Sequence, residues 1–153
     1  MKQSEYLRYD AVALSDLIRR GEVTAAEVVG QAVQRARKVN ESINAICQPQ
    51  YDEALAVQSG GEGDLAGVPM LLKDLAQEQA GKPCTYGSRG LRNNIAPRSS
   101  EFVKRCEAAG LVFLGRTATP EFGLKGITES ELWGPTRNPW NTDVTPGGSS
   151  GGS

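Results

Sequence analysis

Two places in this sequence carry side chains that could do chemistry. One is Lys73, which closes the apolar run Val68-Pro-Met-Leu-Leu72 and is followed by Asp74. The other is the stretch Thr145-Pro-Gly-Gly-Ser-Ser-Gly-Gly-Ser153, which presents Ser149, Ser150 and Ser153. A lysine at a buried strand end has two readings. Its stem can follow apolar surface while the ammonium stays in solvent or against Asp74. Alternatively, desolvation makes the amine neutral and it serves as a base. From a reference pKa near 10.4, a free lysine is neutral only about 0.04% of the time at pH 7, a deficit of roughly 4.6 kcal/mol. Burial or a neighbouring cation must supply that difference. The Gly/Ser stretch is equally divided. By composition it is a flexible connector or an expression linker. By context it is native, because Gly134-Pro-Thr-Arg-Asn-Pro-Trp-Asn141 just before it is a dense run of turn formers around one large aromatic.

Positioning either group requires elements, and the pattern supplies them. Ala11 to Arg20 has Val12, Leu14, Leu17 and Ile18 at helical spacing, with Gly21 as a stop. Thr24 and Glu27 form a capping-box pair. The helix they open is expected to run to about Val39, with Val28, Val29, Ala32, Val33, Ala36 and Val39 on one face and a solvated face of Gln31, Gln34, Arg35 and Lys38. Asn44 to Gln48 reads as a short strand, Tyr51 to Gln58 as a helix, and Ser59 to Asp64 as a surface loop. Beyond it, Val68 to Leu72 is a buried strand ending at Lys73. Gln77 to Ile95 is irregular. Ser99 or Ser100 caps a helix through Ala109, Gly110 ends it, and Leu111 to Leu114 is a strand, as in a right-handed crossover of a mainly parallel sheet. Thr119-Pro120-Glu121 reads as a helix start.

Bulk properties narrow the function classes. With 153 residues, 39% apolar, 23% charged and a formal charge of −1, the chain has an ordinary globular composition. That balance points to neither nucleic acid nor a membrane surface, and the N-terminus lacks a signal peptide's apolar core. Cys47, Cys84 and Cys106 are scattered without metal-like spacing, so reduced thiols in the cytoplasm are expected and no metal or cofactor is. Histidine is absent, which removes Ser-His-Asp and Cys-His arrangements from these residues.

The motifs Gly-Val-Pro-x-x-x-Lys-Asp, Thr85-x-Gly87-Ser88, Gly115-Arg-Thr-x-Thr-Pro-Glu-Phe-Gly123, Gly-Pro-Thr-Arg-Asn-Pro-Trp and Pro-Gly-Gly-Ser-Ser-Gly-Gly-Ser occur in this order. Together, over roughly residues 5 to 153, they resemble the amidase signature family. Ala118 departs from the Asn more usual after Gly-(Lys/Arg)-Thr. The resemblance implies a three-layer α/β/α sandwich with a mixed, mainly parallel central sheet. Here that would be its N-terminal part, a helical region over about 1–60 and the start of the α/β core over about 65–153. It implies hydrolysis of a carboxamide C–N bond by a Ser-cisSer-Lys triad. Carried across, Lys73 is the base, Ser149 the relay held by a cis peptide bond, and Ser150 a support. Gly147 and Gly148 allow the tight backbone. The family's nucleophile is not among these residues, so residues 1–153 alone are expected to be an inactive portion of a longer amidase. The substrate would be a small linear or cyclic amide, with a homo-oligomer left open. Two alternatives stand beside this: the glutamine-hydrolysing subunit of a tRNA-dependent amidotransferase, and a non-enzymatic module whose Gly/Ser backbone amides bind an anion.

Overall fold

A computed structural model describes residues 1–59 and 61–153; Gly60, part of the expected surface loop, lies outside them. The chain opens with helices. After a single turn, α1 (Gln3–Tyr6), comes α2 (Ala11–Arg19), capped by Asp10, whose Oδ1 accepts from Ala13 N. Helix α3 (Ala25–Ile43) starts at the capping box: Glu27 N donates to Thr24 Oγ1, and Thr24 N donates to Glu27 Oε2. It overruns the expected end at Val39 by one turn. The stop is Asn44 in the left-handed conformation, which its short polar side chain tolerates. Asn40 fixes the exit by bonding both the N–H and the C=O of Ile46.

Strand β1 (Ile46–Pro49) and helix α4 (Tyr51–Leu55) follow. Helix α4 ends earlier than the expected Gln58, because Val57 leaves the helix to pack against the core. Then come β2 (Pro69–Lys73), α5 (Glu101–Ala108) and β3 (Val112–Thr117). Ser100 caps α5 at Val103 N, and Gly110 turns out of it at positive φ. Two short strands, β4 (Glu129–Ser130) and β5 (Gly134–Pro135), pair antiparallel. The segment Gln77 to Ile95 holds one 3-10 turn, Arg89–Leu91, and is otherwise irregular.

The main sheet has the order β1-β3-β2, with β2 parallel and β1 antiparallel to β3. Among the described residues it is therefore a mixed sheet, as expected, with one parallel and one antiparallel pairing. Strand alternation sends side chains to two helical layers. Leu71, Val112 and Leu114 pack with Val29, Ala32, Val33 and Ala54 of α3 and α4. Met70, Leu72 and Phe113 pack with Val103 and Cys106 of α5. This is an α/β/α arrangement built around a short sheet. The expected helix at Thr119-Pro120-Glu121 is corrected to one 3-10 turn, Glu121–Gly123. Pro120 precedes it in extended backbone, and Phe122 and Gly123 both take positive φ, which no helix can continue. No helix among the described residues is long and apolar enough to cross a membrane.

Candidate active site

Lys73 is the last residue of β2 and Thr117 its register partner on β3, so the lysine leaves the sheet where two parallel strands end together. In open α/β sheets that end is where ligands bind. The chain returns to this edge through the Gly/Ser stretch. Lys73 Nζ lies 2.8 Å from Ser149 Oγ across 76 residues, and the Gly148–Ser149 peptide bond is cis. Burial lowers the Lys73 pKa from the ordinary lysine value.

The stretch is an ordered turn, pinned to the sheet edge by the loops around it. Thr119 Oγ1 donates to Ser149 O at 3.0 Å, and Thr128 Oγ1 to Gly147 O at 2.9 Å. Gly152 N donates to Ala118 O at 3.2 Å. The glycines answer to close approach. Gly147 has φ +94°, and a Cβ on Gly148 would sit 3.1 Å from backbone atoms of Lys125, Gly126 and Ile127. A Cβ on Gly151 would strike Thr128, and one on Gly152 would strike Ala118 and Ala45. The connector reading is thereby set aside. Ser150 is not brought to the pair: it is exposed, its hydroxyl has no partner among the described residues, and it joins the motif through its carbonyl, which accepts from Ser153 N. Ser153 instead places its hydroxyl 3.3 Å from Thr117 Oγ1.

Asp74 does not pair with Lys73. It is fully buried and faces the other way, accepting from Thr85 N at 2.7 Å, Gln48 Nε2 at 3.2 Å, Trp133 Nε1 at 3.3 Å, Gly87 N at 3.4 Å and the Thr85 hydroxyl. One carboxylate thus ties β1, the Thr85–Gly87 loop and Trp133 to the residue beside the lysine. Arg116, also fully buried, donates through Nη1 to Lys73 O at 3.1 Å and Gln77 O at 2.8 Å. The sequence reading missed these roles. The adjacent Lys-Asp pair and the arginine inside an apolar strand were the available signals. Among the described residues no cluster of three or more His, Cys, Asp or Glu side chains is placed to hold a metal ion.

Comparison with known proteins bears on the same region. The family described as Amidase matches residues 27–153. The chain belongs to the amidase signature family. Among the family's curated members it is 42% identical over 146 residues to the 6-aminohexanoate-cyclic-dimer hydrolase of Paenarthrobacter ureafaciens, covering 94% of this chain and 30% of that protein. It is 39% identical over 159 residues to a glutamyl-tRNA(Gln) amidotransferase subunit of Acidothermus cellulolyticus, covering 98% of this chain and 31% of that one. A solved structure of a 6-aminohexanoate cyclic dimer hydrolase complexed with substrate superposes with a TM-score of 0.87 at 41% identity, over 95% of this chain and 30% of that one. The chain therefore spans about 30% of the length of these relatives.

Proposed function

We propose that the protein carrying this chain hydrolyses the C–N bond of small linear or cyclic carboxamides through an acyl-enzyme, with Lys73 as base and Ser149 as proton relay. The single observation that supports this reading most is the 2.8 Å contact between Lys73 Nζ and Ser149 Oγ at the ends of β2 and β3. In the neutral state of the amine, the Ser149 hydroxyl donates to Nζ. The relay hydroxyl then takes a proton from a second serine as that serine attacks the amide carbon. The lysine keeps the proton until the C–N bond breaks, and the same path returns it to the leaving amine. Water then cleaves the ester. The attacking serine and its oxyanion-stabilising amides belong, in this proposal, to the part of the relatives' length that residues 1–153 do not span. The cyclic amide class is carried over from the 6-aminohexanoate-cyclic-dimer hydrolases to which the chain is similar.

The proposal includes a cytoplasmic setting, supported by Cys47, Cys84 and Cys106 all being free thiols. Burial pushes Cys84 up to about 11 and Cys47 well above the ordinary thiol range, so neither is poised for oxidation. The similarity to an amidotransferase subunit favours a second reading, in which glutamine is the amide and ammonia passes to a partner. One experiment separates them. The full-length protein is mixed with a small aryl amide, amine release is followed, and the intermediate is located by mass spectrometry. The proposal expects amine release without partners and an acyl group on a serine other than Ser149. Hydrolysis of glutamine alone, dependent on co-purifying subunits, would overturn it in favour of the second reading.

A further inference from the structure

At the end of β2 the main-chain groups of Lys73 have an unusual set of partners. Asp74 N–H donates to Thr117 O at 3.1 Å, so by strand alternation the N–H and C=O of Lys73 point away from β3. No strand meets them there among the described residues. Lys73 N–H donates instead to Gln77 Oε1 at 2.6 Å, and Lys73 O accepts from Arg116 Nη1 at 3.1 Å. The same Nη1 donates to Gln77 O at 2.8 Å, which closes a ring of three bonds through Lys73, Gln77 and Arg116. Arg116 is wholly buried, and its Nε and Nη2 have no partner among the described residues. A guanidinium placed so is costly to desolvate, and packing alone would be served as well by an apolar side chain.

We propose that Gln77 and Arg116 are positioning residues that clamp the Lys73 peptide and fix the direction in which its side chain leaves β2. The proposal rests on the reading of Lys73 as base. Nζ lies at the end of a long stem, so a small tilt of the peptide becomes a displacement on the order of 1 Å at the amine, enough to cost about 10²-fold in rate. Ser149 is held independently, by Thr119 and by the Gly152–Ala118 bond, so the relay does not follow the lysine when it moves. The bonds of the clamp run among Lys73, Gln77 and Arg116 and do not include Ser149. Its loss should therefore appear in kcat and not in KM.

The test uses the full-length protein and an aryl amide, with Gln77→Met, Arg116→Met and Arg116→Lys beside Lys73→Ala. Gln77→Met removes only the acceptor for the Lys73 amide. It is expected to lower kcat by about 10²-fold with KM within about threefold, and to speed hydrogen exchange at the Lys73 amide. Arg116→Lys keeps an ammonium able to donate to both carbonyls, so it should retain at least about tenfold more kcat than Arg116→Met. Should Arg116→Met fail to fold, Gln77→Met carries the decision. A Gln77→Met protein with wild-type kcat, while Lys73→Ala is inactive, would overturn the clamp and leave the base assignment standing. Full activity in Lys73→Ala would overturn both.

Discussion

Lys73 and Asp74 are neighbours with opposite fates, and the contrast carries most of the chemistry. The lysine faces Ser149 with no carboxylate paired to it among the described residues, and burial lowers its pKa. If it is the base, kcat/KM should rise with pH as its proton is lost, with the acid limb centred below the ordinary lysine value of about 10.4. A limb at or above that value would contradict the assignment. The aspartate gathers donors from Gln48, Thr85, Gly87 and Trp133. Asp74→Ala would leave those buried donors unpaired, and a loss of about 3–5 kcal/mol is expected in denaturant unfolding. A loss under about 1 kcal/mol would show that the hub contributes little to stability. Lys73 and Ser149 were legible because each sits in a local motif. Asp74 and Arg116 were not, since the partners that define them lie 11 to 59 residues away for the aspartate and 39 to 43 for the arginine.

Among the elements, legibility followed locality as well. The capping box at Thr24 and the Ser100–Gly110 bracket around α5 are short-range devices, and both helices begin where their signals stand. The helix expected at Thr119 failed because Phe122 takes a left-handed φ that tertiary contact imposes: its N–H donates to Tyr86 O, far back in the chain. The one parallel pairing was foreseeable from the helix–Gly–strand pattern. The antiparallel place of β1 beside β3 depends on a long-range register that no local pattern states. The capping box also gives a pH test. The Glu27 carboxyl is held at about 2, chiefly by the Thr24 N–H, with the chain's amino terminus and the Thr24 hydroxyl adding to it. Its folded value lies below the unfolded one. The stabilisation is thus complete above the unfolded carboxylate range, near about 4.3, and is lost as pH falls toward the folded value. Glu27→Gln should lower the thermal midpoint at neutral pH, and the gap should close across that acid window. A gap independent of pH would contradict the ionic origin.

On the scale of the molecule, the three-stranded sheet has two edges, and Leu124 and Trp140 are 82% and 94% exposed. An unpaired sheet edge is a template for pairing with another chain. Residues 1–153 expressed by themselves are accordingly expected to self-associate or bind a hydrophobic dye; a monomeric, cooperative thermal transition without dye binding would contradict that. The family was legible from motif order alone, while the packing of the Gly/Ser stretch against Thr119, Thr128 and Ala118 required the fold. The reading of Lys73 as a base working through Ser149 is tested most directly by steady-state hydrolysis of a small aryl amide by the full-length protein and its Lys73→Ala variant. The expected result is a loss of kcat of at least about 10²-fold with the fold intact; a variant within a few-fold of wild type would contradict it.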